Sequence, residues 1–302
     1  MKVVAHKYHQ FIGHKSSVYA LASSPSANVF YSSGGDGMIA QWDVAEKGDG
    51  QVIAKVNASV YALHFQQGRN ILVIAQNNEG LHFLDTLSRK IVGSIKLSTA
   101  NFFDIKSIGD EVLVAGGDGV LYIVDQVKMV VKHKIKLSQS SLRSISVNKE
   151  GDEFAVASSD HQVHIFKGNQ ITSFKEHTNS VFKVCFSKDG QHLLSGGRDA
   201  QLKFWKMEDG KLLIDESIPA HLYTINDIVF RPDERYFATA SKDKTVKIWD
   251  FQQRKLVKVI DNARSGGHIS SVNKLIWTSY NNFLISASDD RTICVWDLEF
   301  SE

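Results

Sequence analysis

Several residue classes are scarce in this 302-residue sequence, and each shortage excludes something. There are three prolines and no Ser-, Gln- or Gly-rich tract, so no segment reads as a disordered arm or linker. The two cysteines, Cys185 and Cys294, lie far apart in strand-like segments; they form no disulfide framework and fit a reducing compartment. No apolar run approaches the roughly 18 to 20 residues needed to span a bilayer. The opening residues, Met1 to Lys7, lack the apolar stretch of a signal peptide. Charge of one sign is missing too: 35 basic and 33 acidic residues are mixed along the chain, with a net charge of +2. No basic block is available to track a phosphate backbone. These absences predict a cytoplasmic protein (or a nuclear one, if eukaryotic) with no direct nucleic-acid or membrane contact, monomeric as an isolated chain.

What is present is repetition. Hydrophobic residues at 43% suffice for a sizeable core, and they recur with a long period. Trp42-Asp43 has counterparts at Leu84-Asp85, Val124-Asp125, Phe166-Lys167, Trp205-Lys206, Trp249-Asp250 and Trp296-Asp297, about every 40 residues. Each closes a strand-like run such as Thr245-Val246-Lys247-Ile248-Trp249. Six residues before each stands a turn-forming Asp36, Asn78, Asp118, Asp160, Asp199, Asp243 or Asp290. Hairpin turns such as Ser187-Lys188-Asp189-Gly190 and Arg231-Pro232-Asp233 fall earlier in the units. Short strands at even spacing, repeated seven times, predict a radial array rather than a sandwich.

Gly13-His14 and Gly267-His268 open units that Trp-Asp closes, and in this the sequence resembles the WD-repeat propellers over nearly its whole length. The resemblance implies four-stranded blades around a central channel. The expected fold is all-β: one seven-bladed β-propeller of antiparallel four-stranded blades spanning residues 1–302. Its closure is predicted from the ends. One strand follows too few after Trp296, and one too many, Lys7 to Ile12, precedes the first Gly-His. Pairing the two removes an exposed edge.

Four units carry a set that invites a hydrolase reading: His14, Ser32, Asp36 and Trp42; His177, Ser195, Asp199 and Trp205; His221, Thr239, Asp243 and Trp249; His268, Ser286, Asp290 and Trp296. A buried relay explains them better, with indole N–H donating to hydroxyl, hydroxyl to His, and His to Asp. In units two to four the His positions hold Val56, Ser98 and Ser138. The hydroxyl positions hold Ile74, Val114 and Val156, and the Trp positions Leu84, Val124 and Phe166. Partners that vanish together are the mark of a structural network, because a half-satisfied one costs more than an apolar replacement. On this reading a change at Ser98 should do little. Asp118 and Asp160 persist without a His, so the turn itself calls for Asp.

The first strand of each unit breaks the period of two. Apolar positions such as Val60, Leu63 and Phe65 are spaced by three and then two, so one residue is extra, as in a β-bulge. The residue after the first apolar position is then a candidate rim residue: Tyr19, Tyr61, Phe103, Arg143, Phe182, Asn226 and Asn273. Four aromatics and an Arg on consecutive units are residue types that dominate interfaces. In WD-repeat propellers this position looks outward beside the channel and contacts partner proteins. Asn226 and Asn273 argue against simple packing, since a core slot takes Asn poorly. The residues before the turn Asp, among them Arg198, Lys242 and Asp289, should join the same face, with Gly35, Asn77, Gly117 and Ser159.

Two histidines three apart, His161 and His164, on a predicted strand point to opposite faces and make no metal site. The glycine turns open onto strands, not helices, and imply no phosphate loop. Cys294 alternates with Trp296 as a small packed residue. The functional expectation is a non-catalytic scaffold or adaptor that binds proteins or peptides on the Gly-His face, with no cofactor. A propeller enzyme with a site at the channel mouth, or a subunit of a nucleic-acid-associated complex, are the alternatives.

Overall fold

A computed structural model describes residues 2–66, 68–208 and 211–301. They form seven four-stranded antiparallel sheets and one short helix, Asn262–Ser265. Six blades are built from consecutive strands, starting at inner strands Val18–Ser23, Val60–Gln66, Phe102–Ile108, Leu142–Val147, Val181–Phe186 and Ile225–Phe230. The seventh takes three strands from the far end of the chain, with inner strand Val272–Trp277, and its outer strand, Lys2–Ile12, from the beginning. That outer strand pairs with Thr292–Ser301 from Lys2↔Ser301 to Ile12↔Thr292, with one register shift between Lys7 and His9. No helix among the described residues is long and apolar enough to cross a membrane.

The second strand of each blade is sandwiched by neighbouring blades on both faces. Tyr236–Ser241 is buried at every position, so it reads as a continuous apolar and small-residue run rather than an alternation. Outer strands such as Val130–Lys136 are mostly exposed and carry lysines, which blunt an unpaired edge.

The hydrophobic core is divided into seven clusters, one for each seam between adjacent blades. The cluster that unites blades seven and one sets Phe11 of the closing strand with Val18, Phe30 and Trp42 of blade one and Ile285 and Val295 of blade seven. Phe11 is 2% exposed, with its ring centroid 5.1 Å from that of Trp42. Burial of one such side chain is worth about 1.5–3 kcal/mol. The ring is therefore closed by packing as well as by strand pairing.

At the Asp turns, the residue after Asp is left-handed in six blades: Gly37, Gly119, His161, Ala200, Lys244 and Arg291 all have φ between 60° and 76°. Gly119 cannot be replaced there, because a Cβ would lie 2.0 Å from the Ser138 carbonyl oxygen. His161 thus belongs to a turn, and only His164 lies on the strand Val163–Lys167. The expectation that both sit on one strand is corrected: Asp160 takes the equivalent turn position and His161 its left-handed corner.

Candidate functional site

The buried relays form in blades one, five, six and seven, and they fix the loops of one face. In blade six the Trp249 indole donates to Thr239 Oγ1 at 2.9 Å, the hydroxyl meets His221 Nε2 at 2.7 Å, and His221 Nδ1 meets Asp243 at 2.8 Å. The other three repeat this order with distances of 2.7 to 3.2 Å. Each Asp also accepts the backbone N–H of the residue after its His: Lys15, Thr178, Leu222 and Ile269. The loop and the Asp turn are thereby clamped together. Burial would raise the Asp243 and Asp290 carboxyls, but the hydrogen bonds from His221 and His268 hold both well below the usual carboxylate range. Burial also opposes protonation of His268, yet its bond to Asp290 lifts its pKa to about 9. His221 moves the other way: burial dominates, and Lys247 stands where blade seven has Cys294.

In blade three Ser98 occupies the His position and is not idle. Its hydroxyl donates to Asp118 at 3.1 Å and accepts the Ala100 N–H, while the Tyr122 hydroxyl donates to the same carboxylate at 2.5 Å. Ser98 thus has partners that the sequence does not show, a Ser–Tyr pair on Asp118 in place of the His relay.

Every inner strand carries a register shift at its start, and the residue it skips is Tyr19, Tyr61, Phe103, Arg143, Phe182, Asn226 or Asn273. Left out of the ladder, these seven side chains turn toward the channel. Together they line one mouth of about 270 Å³. All seven are half-buried and stand outside the seam cores.

Around the mouth they touch one another. Tyr19 meets Tyr61 edge-on at 4.7 Å, and Tyr61 stacks on Phe103 at 5.6 Å with the planes 2° apart. The Arg143 guanidinium then lies between Phe103, at 4.2 Å, and Phe182, at 4.8 Å. Gly117 leaves room for this arc, since a Cβ there would come within 3.2 Å of the Phe103 ring, whereas at Gly35 it would crowd Ser16 rather than Tyr19.

The two asparagines have a different role from the one their polarity suggests. The Asn226 amide donates to Ser271 and the Val272 carbonyl, and the Asn273 amide donates to the Val18 carbonyl and Asp289. Each staples its blade to the next, so these Asn side chains are structural braces as well as rim residues. Arg198 and Lys242 are exposed, Asp289 is half-buried beside Asn273, and Ser159 accepts from Arg143 Nε at 2.8 Å. Asn77 is buried, and its side chain accepts the Phe102 N–H.

Below the mouth lies a charged collar that sequence reasoning missed. Lys183 pairs with Asp227 at 3.0 Å, Lys274 approaches the same carboxylate at 3.6 Å, and Lys106 lies 3.9 Å from Asp104. Asp104 also accepts the Ser144 hydroxyl and the Ile145 N–H, and Asp227 the Leu275 N–H. Although burial penalises every charge, Asp227 and Asp104 pull the Lys183 pKa up, while burial lowers that of Lys274. Asp104, Lys183 and Lys274 are shared with a second cavity of about 340 Å³ deeper in the channel. The signal was available: the residue after each rim position is Ala20, Ala62, Asp104, Ser144, Lys183, Asp227 and Lys274.

Comparison with known proteins follows the same division of blades. The family described as "WD domain, G-beta repeat" matches residues 6–43, 168–206, 214–250 and 256–297. These segments contain the four relays; of the degenerate blades two to four they include only the outer strand of blade four, Gln170–Phe174. Among curated relatives, an 85-residue segment is 36% identical to the transcriptional corepressor LEUNIG_HOMOLOG of Arabidopsis thaliana, covering 28% of this chain and 10% of that protein. Over 266 residues the chain is 22% identical to the 66 kDa stress protein of Physarum polycephalum, covering 84% and 43%. Over 211 residues it is 24% identical to pre-mRNA-processing factor 19 of Caenorhabditis elegans, covering 67% and 42%. The chain thus spans less than half the length of each of these relatives. With its matched repeats, relays and closed ring, the chain belongs to the WD40 repeat family.

Proposed function

We propose that this propeller is a non-catalytic scaffold that binds a protein or peptide segment at the mouth on its Gly-His face. The observation that carries the reading is the convergence of seven bulge residues on one mouth. They include an arc of half-exposed rings and a guanidinium that belongs to no seam core. Backbone that leaves its ladder at the same point in seven blades aims those side chains into the channel mouth rather than into a seam core. Aromatic rings and Arg held rigidly at such a site lose little entropy on binding.

The non-catalytic part rests on the relays. Each His, hydroxyl and Asp is engaged with the next, and the histidines are buried, so no relay hydroxyl is free to act as a nucleophile. The relatives' names, a corepressor among them, fit a protein that works through partners.

The test is selection of short peptides from a random library on the purified chain. Binders should depend on the arc: Tyr61→Ala and Phe103→Ala should each weaken capture roughly 30-fold, the equivalent of about 2 kcal/mol. Unfolding should shift little, because both rings are half-exposed. Binders indifferent to both substitutions would refute the assignment.

A further inference from the structure

The mouth and the channel beneath it hold an imbalance of charge. Four cations, Arg143, Lys183, Lys274 and Lys106, face two carboxylates, Asp104 and Asp227. Both carboxylates are engaged, Asp104 by a hydroxyl, an amide and the Lys106 ammonium, Asp227 by an amide and two ammonium groups. Among the described residues no carboxylate pairs with Arg143. Another cation, Arg198, lies close enough to disfavour its charge, and no carboxylate pairs with Arg198 among those residues either.

Arg143 is also fixed in place. Two rings sandwich its plane, and its Nε–H is taken by Ser159. The terminal N–H groups of the guanidinium remain as a preset fork, the geometry that carboxylate and phosphate oxygens match. A cationic ligand is disfavoured, since Arg143 already occupies the faces of Phe103 and Phe182. A purely apolar ligand would leave the cations uncompensated and desolvated.

We propose that the side chain a partner peptide places in this mouth is anionic, a carboxylate or a phosphate on a short stem, bound by the Arg143 fork above the Lys183–Lys274 pair. This rests on reading the mouth as a peptide site. The partner is therefore an acidic or serine-phosphorylated extended segment.

The test probes the purified chain against a synthetic array of short peptides in acid-rich, neutral and base-rich sets, with a duplicate in which every serine is phosphorylated. Spots lost in Tyr61→Ala should concentrate in the acid-rich or phosphorylated sets, and which of the two prevails identifies the source of the anion. Arg143→Gln should weaken those spots roughly tenfold or more, the scale of a lost charge-assisted hydrogen bond. Arg198→Gln, at an exposed position, should weaken them a few-fold and raised salt should act in the same direction. That second variant keeps the test valid if Arg143→Gln melts early. Tyr61-dependent binders without acidic preference, or a preference untouched in both arginine variants, would overturn this inference and leave the peptide site standing. An absence of Tyr61-dependent binders would overturn both. A single-stranded RNA that displaced the peptides and was lost with Arg143→Gln would assign the mouth to nucleic acid, and would also overturn it.

Discussion

A double-mutant cycle in blade six tests whether the His–hydroxyl–Trp relay acts as one unit. Thr239→Val keeps the shape of the side chain but removes its hydroxyl, at a site with no solvent exposure. It leaves the Trp249 indole N–H and His221 Nε2 without partners, both at hydrogen-bonding distance in the native blade. At about 1–3 kcal/mol for each stranded buried group, the expected cost is about 2–6 kcal/mol. His221→Ala strands the Thr239 hydroxyl proton but spares Asp243, which keeps the Leu222 and Thr245 N–H groups. Its cost is about 1–3 kcal/mol. In the double variant only the indole N–H is orphaned, two groups fewer than in the single variants together, so the combined loss should fall short of the sum by about 2 kcal/mol or more. Urea titration, followed by the unfolding midpoint at constant slope, reads all three values. Additivity to within about 0.5 kcal/mol would show that the groups act separately and would refute the relay. Blade two is the natural end point of the cycle: Val56, Ile74 and Leu84 replace His, hydroxyl and Trp, and all three are buried. Ser98→Ala in blade three is the internal control. It should cost about 0.5–1 kcal/mol, because Tyr122 still holds Asp118.

Three further outcomes follow from the fold. Deleting the closing strand, residues 2–12, should uncover the Thr292–Ser301 edge and Phe11's neighbours, lowering the melting temperature and solubility; an unchanged melt would sink the closure argument. His268 has a folded pKa of about 9, above its unfolded value near 6.5. Its contribution is therefore complete below pH 6.5 and lost as pH rises through 9, so the melting temperature should fall across that window and His268→Gln should flatten the fall. Ala200→Gly should stabilise the protein by about 0.5–1 kcal/mol, since Ala200 sits at φ 60° in a corner that glycine adopts without strain; a lower unfolding midpoint would contradict that.

The parts of the fold that recur were legible from the chain. A bulge repeated at Tyr19, Tyr61 and Phe103 shows as a spacing of three in seven places, and a relay repeated four times shows by vanishing as a set from Val56, Ile74 and Leu84. What occurs once leaves no such trace. The collar draws on four blades: Asp104 and Lys106 from one inner strand, and Lys183, Asp227 and Lys274 from three others, each about 40 residues or more further along the chain. Only the closed ring brings them within reach of one another. The asparagines have a second role that polarity does not show: Asn226 and Asn273 line the mouth and also spend their amides on the backbone of the next blade. A residue's own pattern does not reveal a partner on another repeat.

The closing strand has a consequence for how the protein is made. Of the described strands, Lys2–Ile12 is the first to leave the ribosome, and its partner Thr292–Ser301 is the last. Blades one to six are each built from consecutive strands and can pair as they emerge, but Lys2–Ile12 must wait, unpaired, until Thr292–Ser301 has followed it out. Synthesis at about 5–20 residues per second makes that wait tens of seconds. Throughout it the chain displays Phe11 and an open strand edge, so this segment is where a nascent-chain chaperone has most to protect, and a ribosome stalled within the last blade would strand a complete set of inner strands in an open ring.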